Sequence, residues 1–159
     1  MKERTTTRRR LLTAMLAASS VALAGCKQKA GSQKTPEEKE VTLVVRAAKN
    51  CNDGRPLQIV VRTTMRKSFV EEDYSAVARL VVVPDESVVQ TLLVFPGQVA
   101  VIPLKFDKYP EALGVYGMFN RGKGESWKKL ADRPLEIDVV AGESAFERWG
   151  VREREASSK

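Results

Sequence analysis

The 159-residue sequence predicts a mainly β protein of the two-sheet sandwich class, with a short helical excursion after its second strand. Three observations carry this. From Val41 to about Trp149, short runs rich in Val, Ile, Leu, Phe and Thr recur at intervals of about ten residues, separated by turn chemistry. Val61 and Thr63 flank Arg62, the two-residue period of a strand with one wet face. Residues 66–87, RKSFVEEDYSAVARLVVVPDES, break that pattern, with Phe69, Tyr74, Val77 and Leu80 near helical spacing.

Ahead of the domain lies a segment of another kind. Residues 1–10 hold Lys2, Arg4, Arg8, Arg9 and Arg10 against Glu3, and residues 11–25 carry no charge. A basic start, a short apolar run and small residues at its exit are the layout of a secretory signal peptide, so residues 1–25 are expected to be cleaved off. The run is shorter than the roughly 20 residues that a membrane-spanning helix needs. It closes on LAGC, residues 23–26, which is a lipobox. The Cys26 thiol is the nucleophile that takes a diacylglyceryl group, and the small residues before it let a peptidase reach the bond. Acyl chains gain about 0.8 kcal/mol per buried methylene, so several on Cys26 hold the outer membrane where one would be marginal. Lys27 in the next position fits export onward to that membrane. Thr7-Arg8-Arg9-Arg10-Leu11-Leu12 also loosely resembles a twin-arginine signal.

Residues 26–40 are expected to be the acylated cysteine and a flexible tether. The stretch 27–40, KQKAGSQKTPEEKE, contains no large apolar residue and cannot bury enough surface to offset the entropy of ordering. A single sandwich domain, 41–150, follows. Its candidate strands are 41–48, 56–64, 88–95, 99–106, 112–119, 126–131 and 134–141. Pro96-Gly97 signals a tight hairpin and Arg121-Gly122-Lys123-Gly124 a looser one. In the helical excursion, Ser68 followed by Glu71 resembles a capping box, and residues 80–83 read as strand-like or buried before Pro84. The tail 151–159, VREREASSK, offers little to pack and is expected to be disordered.

Composition narrows the function. The formal net charge is +7, but the signal segment contributes five basic residues and one acid, which leaves the mature chain at +3. That removes most of the electrostatic case for nucleic acid. There is no histidine, which removes imidazole-dependent triads and most zinc sites. No glycine-rich phosphate loop is present. Glu71-Glu72-Asp73 sits at an expected helix start, where acids complement the helix dipole. With Cys26 acylated, Cys51 has no partner in its own chain; it is either buried and free or pairs with another chain, and the unpaired state is the expectation. No catalytic, metal or cofactor site is therefore expected beyond the covalent lipid on Cys26, and no small-molecule substrate. A sugar- or peptide-binding surface lipoprotein using Tyr116, Trp127 or Trp149 is the alternative reading; an enzyme built on Glu71 to Asp73 is a third.

The order of motifs carries a further reading. Behind the lipobox come Asn50-Cys51-Asn52-Asp53-Gly54-Arg55-Pro56, then LQIVVR, Phe69 with Asp73-Tyr74, Phe95-Pro96-Gly97, and Leu113-Gly114-Val115-Tyr116-Gly117-Met118-Phe119 leading to Ser126-Trp127-Lys128. Over about residues 41–131 this resembles the outer-membrane lipoprotein of the type VI secretion system, the TssJ family. The resemblance implies a transthyretin-like sandwich with a helical insertion after the second strand. It implies residence at the periplasmic face of the outer membrane. It also implies binding to the periplasmic C-terminal region of a TssM-like inner-membrane protein. The contact would be the loop between the first two strands: Lys49, Asn50, Cys51, Asn52, Asp53, Gly54 and Arg55. That loop is shorter than in well-known members, and Cys51 stands where a proline is common. Asp53-Gly54 alone would equally suit a plain hairpin turn.

Overall fold

The computed structural model describes residues 39–154 except 123 and 125. The expected signal peptide, Cys26 and the tether up to residue 38 lie outside them, as do residues 155–159. The elements run β1 (Lys39–Ala47), α1 (Cys51–Gly54), β2 (Leu57–Thr63), α2 (Arg66–Glu71), α3 (Tyr74–Val82), β3 (Val88–Val94), β4 (Val99–Phe106), β5 (Ala112–Gly117), β6 (Lys128–Asp132), β7 (Pro134–Ala141) and β8 (Phe146–Glu153).

Eight strands form two four-stranded sheets, ordered β4-β1-β7-β8 and β3-β2-β5-β6. Only β1 and β7 pair in parallel among the described strands. Alternate residues explain the layering. Val41, Leu43, Val45, Ile137 and Val139 from one sheet meet Leu57, Ile59, Val61, Leu113 and Val115 from the other, all buried. Each such side chain contributes about 1.5–3 kcal/mol by leaving water. The outer face of the second sheet is covered as well, because α2 and α3 lie over it and bury Val60, Tyr116 and Val77.

The connections define two poles. At one, the β1–β2 loop, the β3–β4 turn, the β5–β6 loop and the β7–β8 turn gather, linked by Ala47 N to Gln98 O (2.9 Å), Ala48 N to Ala141 O (2.9 Å) and Asn52 N to Gly142 O (3.1 Å). At the other, β1 begins with Lys39 opposite Phe106, and the turn at Arg133 bonds Glu111 and Arg154 through the backbone.

Several expectations change. Pro96-Gly97 does not make a hairpin: β3 and β4 belong to different sheets, so this turn crosses the sandwich. The β1–β2 connection crosses it too, which removes the plain hairpin reading of Asp53-Gly54. Ser68 lies within α2 and caps nothing; the cap belongs to Asp73, whose carboxylate accepts from Ala76 N at 2.7 Å and starts α3. Leu80, Val81 and Val82 continue that helix rather than forming a strand. The last strand, β8, was not expected, and it carries the fold through Glu153, beyond residue 150. The looser hairpin at Arg121 holds, since β5 and β6 are antiparallel neighbours.

Candidate partner-binding pole

The β1–β2 loop is a tight left-handed turn rather than a flexible excursion. Asn52, Asp53 and Gly54 have φ of 50°, 55° and 75°. This region costs an ordinary L-residue roughly 1–2 kcal/mol, less for Asn and Asp, and nothing for Gly. Asn52, 2 % exposed, fixes the turn: its Nδ2 donates to Pro56 O at 2.8 Å, and its Oδ1 accepts from Asn120 N at 2.7 Å. One amide thus ties the β1–β2 loop to the β5–β6 loop. Cys51 is fully buried beneath it and free. Burial, then the nearby Glu147 carboxylate, push its thiol up to about 11, so it stays protonated and unreactive at neutral pH.

Of the seven residues expected to form the contact, Lys49, Asn50, Asp53, Gly54 and Arg55 are exposed; Cys51 and Asn52 face inward and shape the turn. Arg121 reaches across from the β5–β6 loop to Asp53 at 3.7 Å. The β3–β4 turn is clamped to the same loop, with Gly97 N donating to Ala47 O (3.0 Å) and Ala48 O (3.1 Å). This gives the pole a defined relief.

The helical insertion is held by a polar cluster beneath it. Lys128, only 4 % exposed, points its ammonium at the end of α2 and donates to Phe69 O (2.9 Å), Val70 O (3.2 Å) and Glu72 O (2.9 Å). A cation there satisfies carbonyls that have no partner within the helix. The same ammonium lies over the Phe69 ring at 5.1 Å and the Trp127 ring at 5.6 Å. The Glu72 carboxylate turns inward, accepts from Tyr116 Oη and Thr64 Oγ1, and pairs with Arg62 at 3.5 Å. Burial first, and Glu72 second, raise the Tyr116 hydroxyl so that it remains a donor at any ordinary pH. Gly114 is required here, since a Cβ would fall 2.3 Å from Tyr116 Oη and 2.5 Å from its ring.

These contacts also decide the aromatic alternative. Tyr116 and Trp127 are buried under the insertion, with ring centroids 5.8 Å apart, and Tyr74 closes over Trp127 at 5.1 Å. Trp149 packs against the core from β8. Tyr116 and Trp127 are packing residues, and Trp149 is half-buried against the core. A groove of about 590 Å³ lies at the opposite pole among Thr64, Met65, Arg66, Glu111 and Asp132, away from these rings. The carboxylates of the third reading diverge: Glu72 is drawn inward and Asp73 caps α3. Among the described residues no group of His, Cys, Asp and Glu could hold a metal ion, and no helix is long and apolar enough to cross a membrane.

A two-sheet sandwich with a helical insertion after the second strand is the fold that the resemblance to type VI secretion lipoproteins implies. Residues 58–140, more than half of the chain, match the family described as IglE, N-terminal domain, and the chain belongs to that family of TssJ-like secretion lipoproteins. The family is one of structural lipoproteins rather than enzymes. Solved structures share the fold. The type VI secretion lipoprotein TssJ1 from Pseudomonas aeruginosa matches with a TM-score of 0.57 and 20% identity, over 74% of this chain and 98% of that one. Serratia marcescens Lip, a membrane-bound component of the same system, matches at 0.55 and 19%, over 70% and 96%. A chain of the TssM C-terminal domain structure from EAEC matches at 0.57 and 15%, over 68% and 95%. No curated protein matches the chain.

Proposed function

We propose that the protein is a lipid-anchored periplasmic component of a type VI secretion membrane complex. Acyl chains on Cys26 hold it to the outer membrane, and the pole bearing Lys49, Asn50, Asp53, Gly54 and Arg55 captures the periplasmic C-terminal region of a TssM-like inner-membrane protein. The observation that carries this reading is the polarity of the domain. The chain enters at Lys39, at one pole, and the expected contact loop lies at the other. A chain that enters at one end and a partner site at the other suit a tie between two membranes. Family membership supports the secretion assignment, and the likeness to membrane-bound Lip supports the envelope location.

The test is a crosslinked pull-down of the tagged full-length chain from its native envelope, beside a variant with residues 49–55 replaced by a Gly/Ser turn. Recovery of a large inner-membrane secretion protein, lost in the variant, is the expected result. Recovery that survives the replacement would move the contact away from the loop. Its absence from both samples would end the secretion-partner reading.

A further inference from the structure

We propose that the pole where the chain enters carries a site for one phosphoethanolamine headgroup, with Arg133 and Arg154 on its phosphate and Glu111 on its ammonium. This rests on the lipid-anchor reading above and says which face of the domain meets the membrane.

Several arginines on the surface of this domain are engaged by carboxylates. Arg46 pairs with Asp138 at 3.3 Å, Arg121 with Asp53 at 3.7 Å, Arg152 with Glu136 at 2.9 Å, and Arg66 with Asp132. Arg133 and Arg154 are exposed and have no such partner among the described residues. Both line one cavity of about 140 Å³, together with Tyr109, Pro110 and Glu111. The Arg154 guanidinium lies over the Tyr109 ring, 4.5 Å from its centroid, and the Lys39 ammonium is 5.9 Å from the same point. Stacking engages the face of a guanidinium and leaves its N–H edge for an oxyanion.

Arg133 makes the turn between β6 and β7 with φ of 40°. That conformation costs an L-residue roughly 1–2 kcal/mol, where glycine would adopt it without strain. Two backbone bonds hold it: its N–H donates to Glu111 O at 2.8 Å, and its own carbonyl accepts from Arg154 N at 2.9 Å. The three charged residues of the cavity thus meet at one backbone junction. A strained, cationic residue at an exposed turn points to a use for its side chain.

The mixed charge of the lining selects the ligand. A bare phosphate would meet two guanidiniums but also the Glu111 carboxylate, which repels it. A phosphodiester with an amine two carbons away matches all three, since guanidiniums take phosphate oxygens in forked pairs and the carboxylate takes the ammonium. The volume lies below the roughly 300–1,000 Å³ of sites that enclose larger ligands, so a headgroup enters and its acyl chains stay outside. Position supplies the source. β1 begins at this pole, with Lys39 opposite Phe106, and a dozen residues separate Lys39 from Cys26. An acylated Cys26 keeps the pole within about 20 Å of the headgroup layer. One headgroup binds too weakly to hold the protein by itself. Beside the acyl chains, which keep the headgroups at high local concentration, it orients the domain and turns the opposite pole away from the bilayer.

The Cys26→Ser chain, which lacks acyl groups, is titrated with glycerophosphoethanolamine, glycerophosphocholine, glycerophosphoglycerol and inorganic phosphate while backbone amide shifts are followed by NMR. Glycerophosphoethanolamine should give saturable shifts confined to the surroundings of Tyr109, Glu111, Arg133 and Arg154, and the other three should bind about 10-fold more weakly, the loss expected when one charged contact is missing. Arg133→Asn, which tolerates the left-handed turn, and Arg154→Gln should each weaken binding by about the same factor. Glu111→Gln should bring glycerophosphoethanolamine down to the level of glycerophosphoglycerol, and Arg121→Gln at the far pole should change nothing. Thermal melts establish that each variant is folded. Equal binding of inorganic phosphate would make this a general anion site and overturn the proposal, as would shifts that map elsewhere or no shifts at all. None of these results touches the anchor reading, which falls only if the unaltered chain leaves the membrane pellet on fractionation.

Discussion

Asn52 shows how much of the β1–β2 loop rests on one residue. Its side chain spans two loops with two buried hydrogen bonds to backbone, while its own φ of 50° carries a conformational cost. Asn52→Ala leaves Pro56 O and Asn120 N without their partner, and each orphaned buried group costs about 1–3 kcal/mol, so a loss of about 2–4 kcal/mol is expected in urea unfolding. Asn52→Gly relieves the left-handed φ but restores neither bond, so it should recover only about 1 kcal/mol of that loss. Equal stability of wild type and the glycine variant would show that strain, not hydrogen bonding, governs the turn. Little of this was legible in sequence. Asn50, Asn52, Asp53 and Gly54 announce a turn, but a partner 68 positions away cannot be read from local spacing. Cys51 was legible as unpaired, and its burial follows from a connection that passes between sheets rather than folding back as a hairpin.

Strands proved more legible than the links between them. All seven expected strands exist because alternation and β-branched content are local properties of a two-faced sheet. The crossing of Pro96-Gly97 was hidden, since a tight turn looks the same whether it returns to its own sheet or leaves it. β8 was missed because Glu147, Arg148, Arg152 and Glu153 dilute its pattern, and the register shift between Val140 and Ala141 places Phe146 out of step with Trp149 and Val151. In the insertion, helical spacing was visible but its cap was misplaced at Ser68; Asp73 competes better because its carboxylate reaches both Ala76 N and Ser75 Oγ, which also hold it below the usual carboxylate range. What holds the insertion down was not visible at all, because nothing local to Lys128 marks it as the partner of carbonyls 56 to 59 positions earlier. Lys128→Met keeps the stem and removes the ammonium from three carbonyls. A destabilisation of about 3 kcal/mol is expected, with hydrogen exchange rising first across residues 66–82 while β1 and β7 stay protected. Uniform loss of protection in all strands would mean that the insertion and the sandwich unfold as one unit.

At the scale of the whole molecule, the proposed mechanism requires the anchor on Cys26 and the contact surface to be separable parts. The sandwich buries its own core from Val41 onward and closes the β1 end with bonds internal to the domain. Folding therefore requires nothing from Cys26, and a dozen residues between the lipid and Lys39 would give a flexible chain a reach of about 20 Å. Cys26→Ser should consequently leave the thermal melt of the domain unchanged. It should also leave capture of the solubilised TssM-like region intact, while moving the protein from the membrane pellet to the soluble periplasmic fraction. The 49–55 replacement should do the reverse, keeping the protein in the outer membrane and losing the partner. Fractionation and pull-down on the two variants form a double dissociation. If Cys26→Ser abolished capture even of the solubilised partner region, the lipid would be part of the binding surface, and a rigid pole acting at the end of a passive tether would no longer describe the molecule.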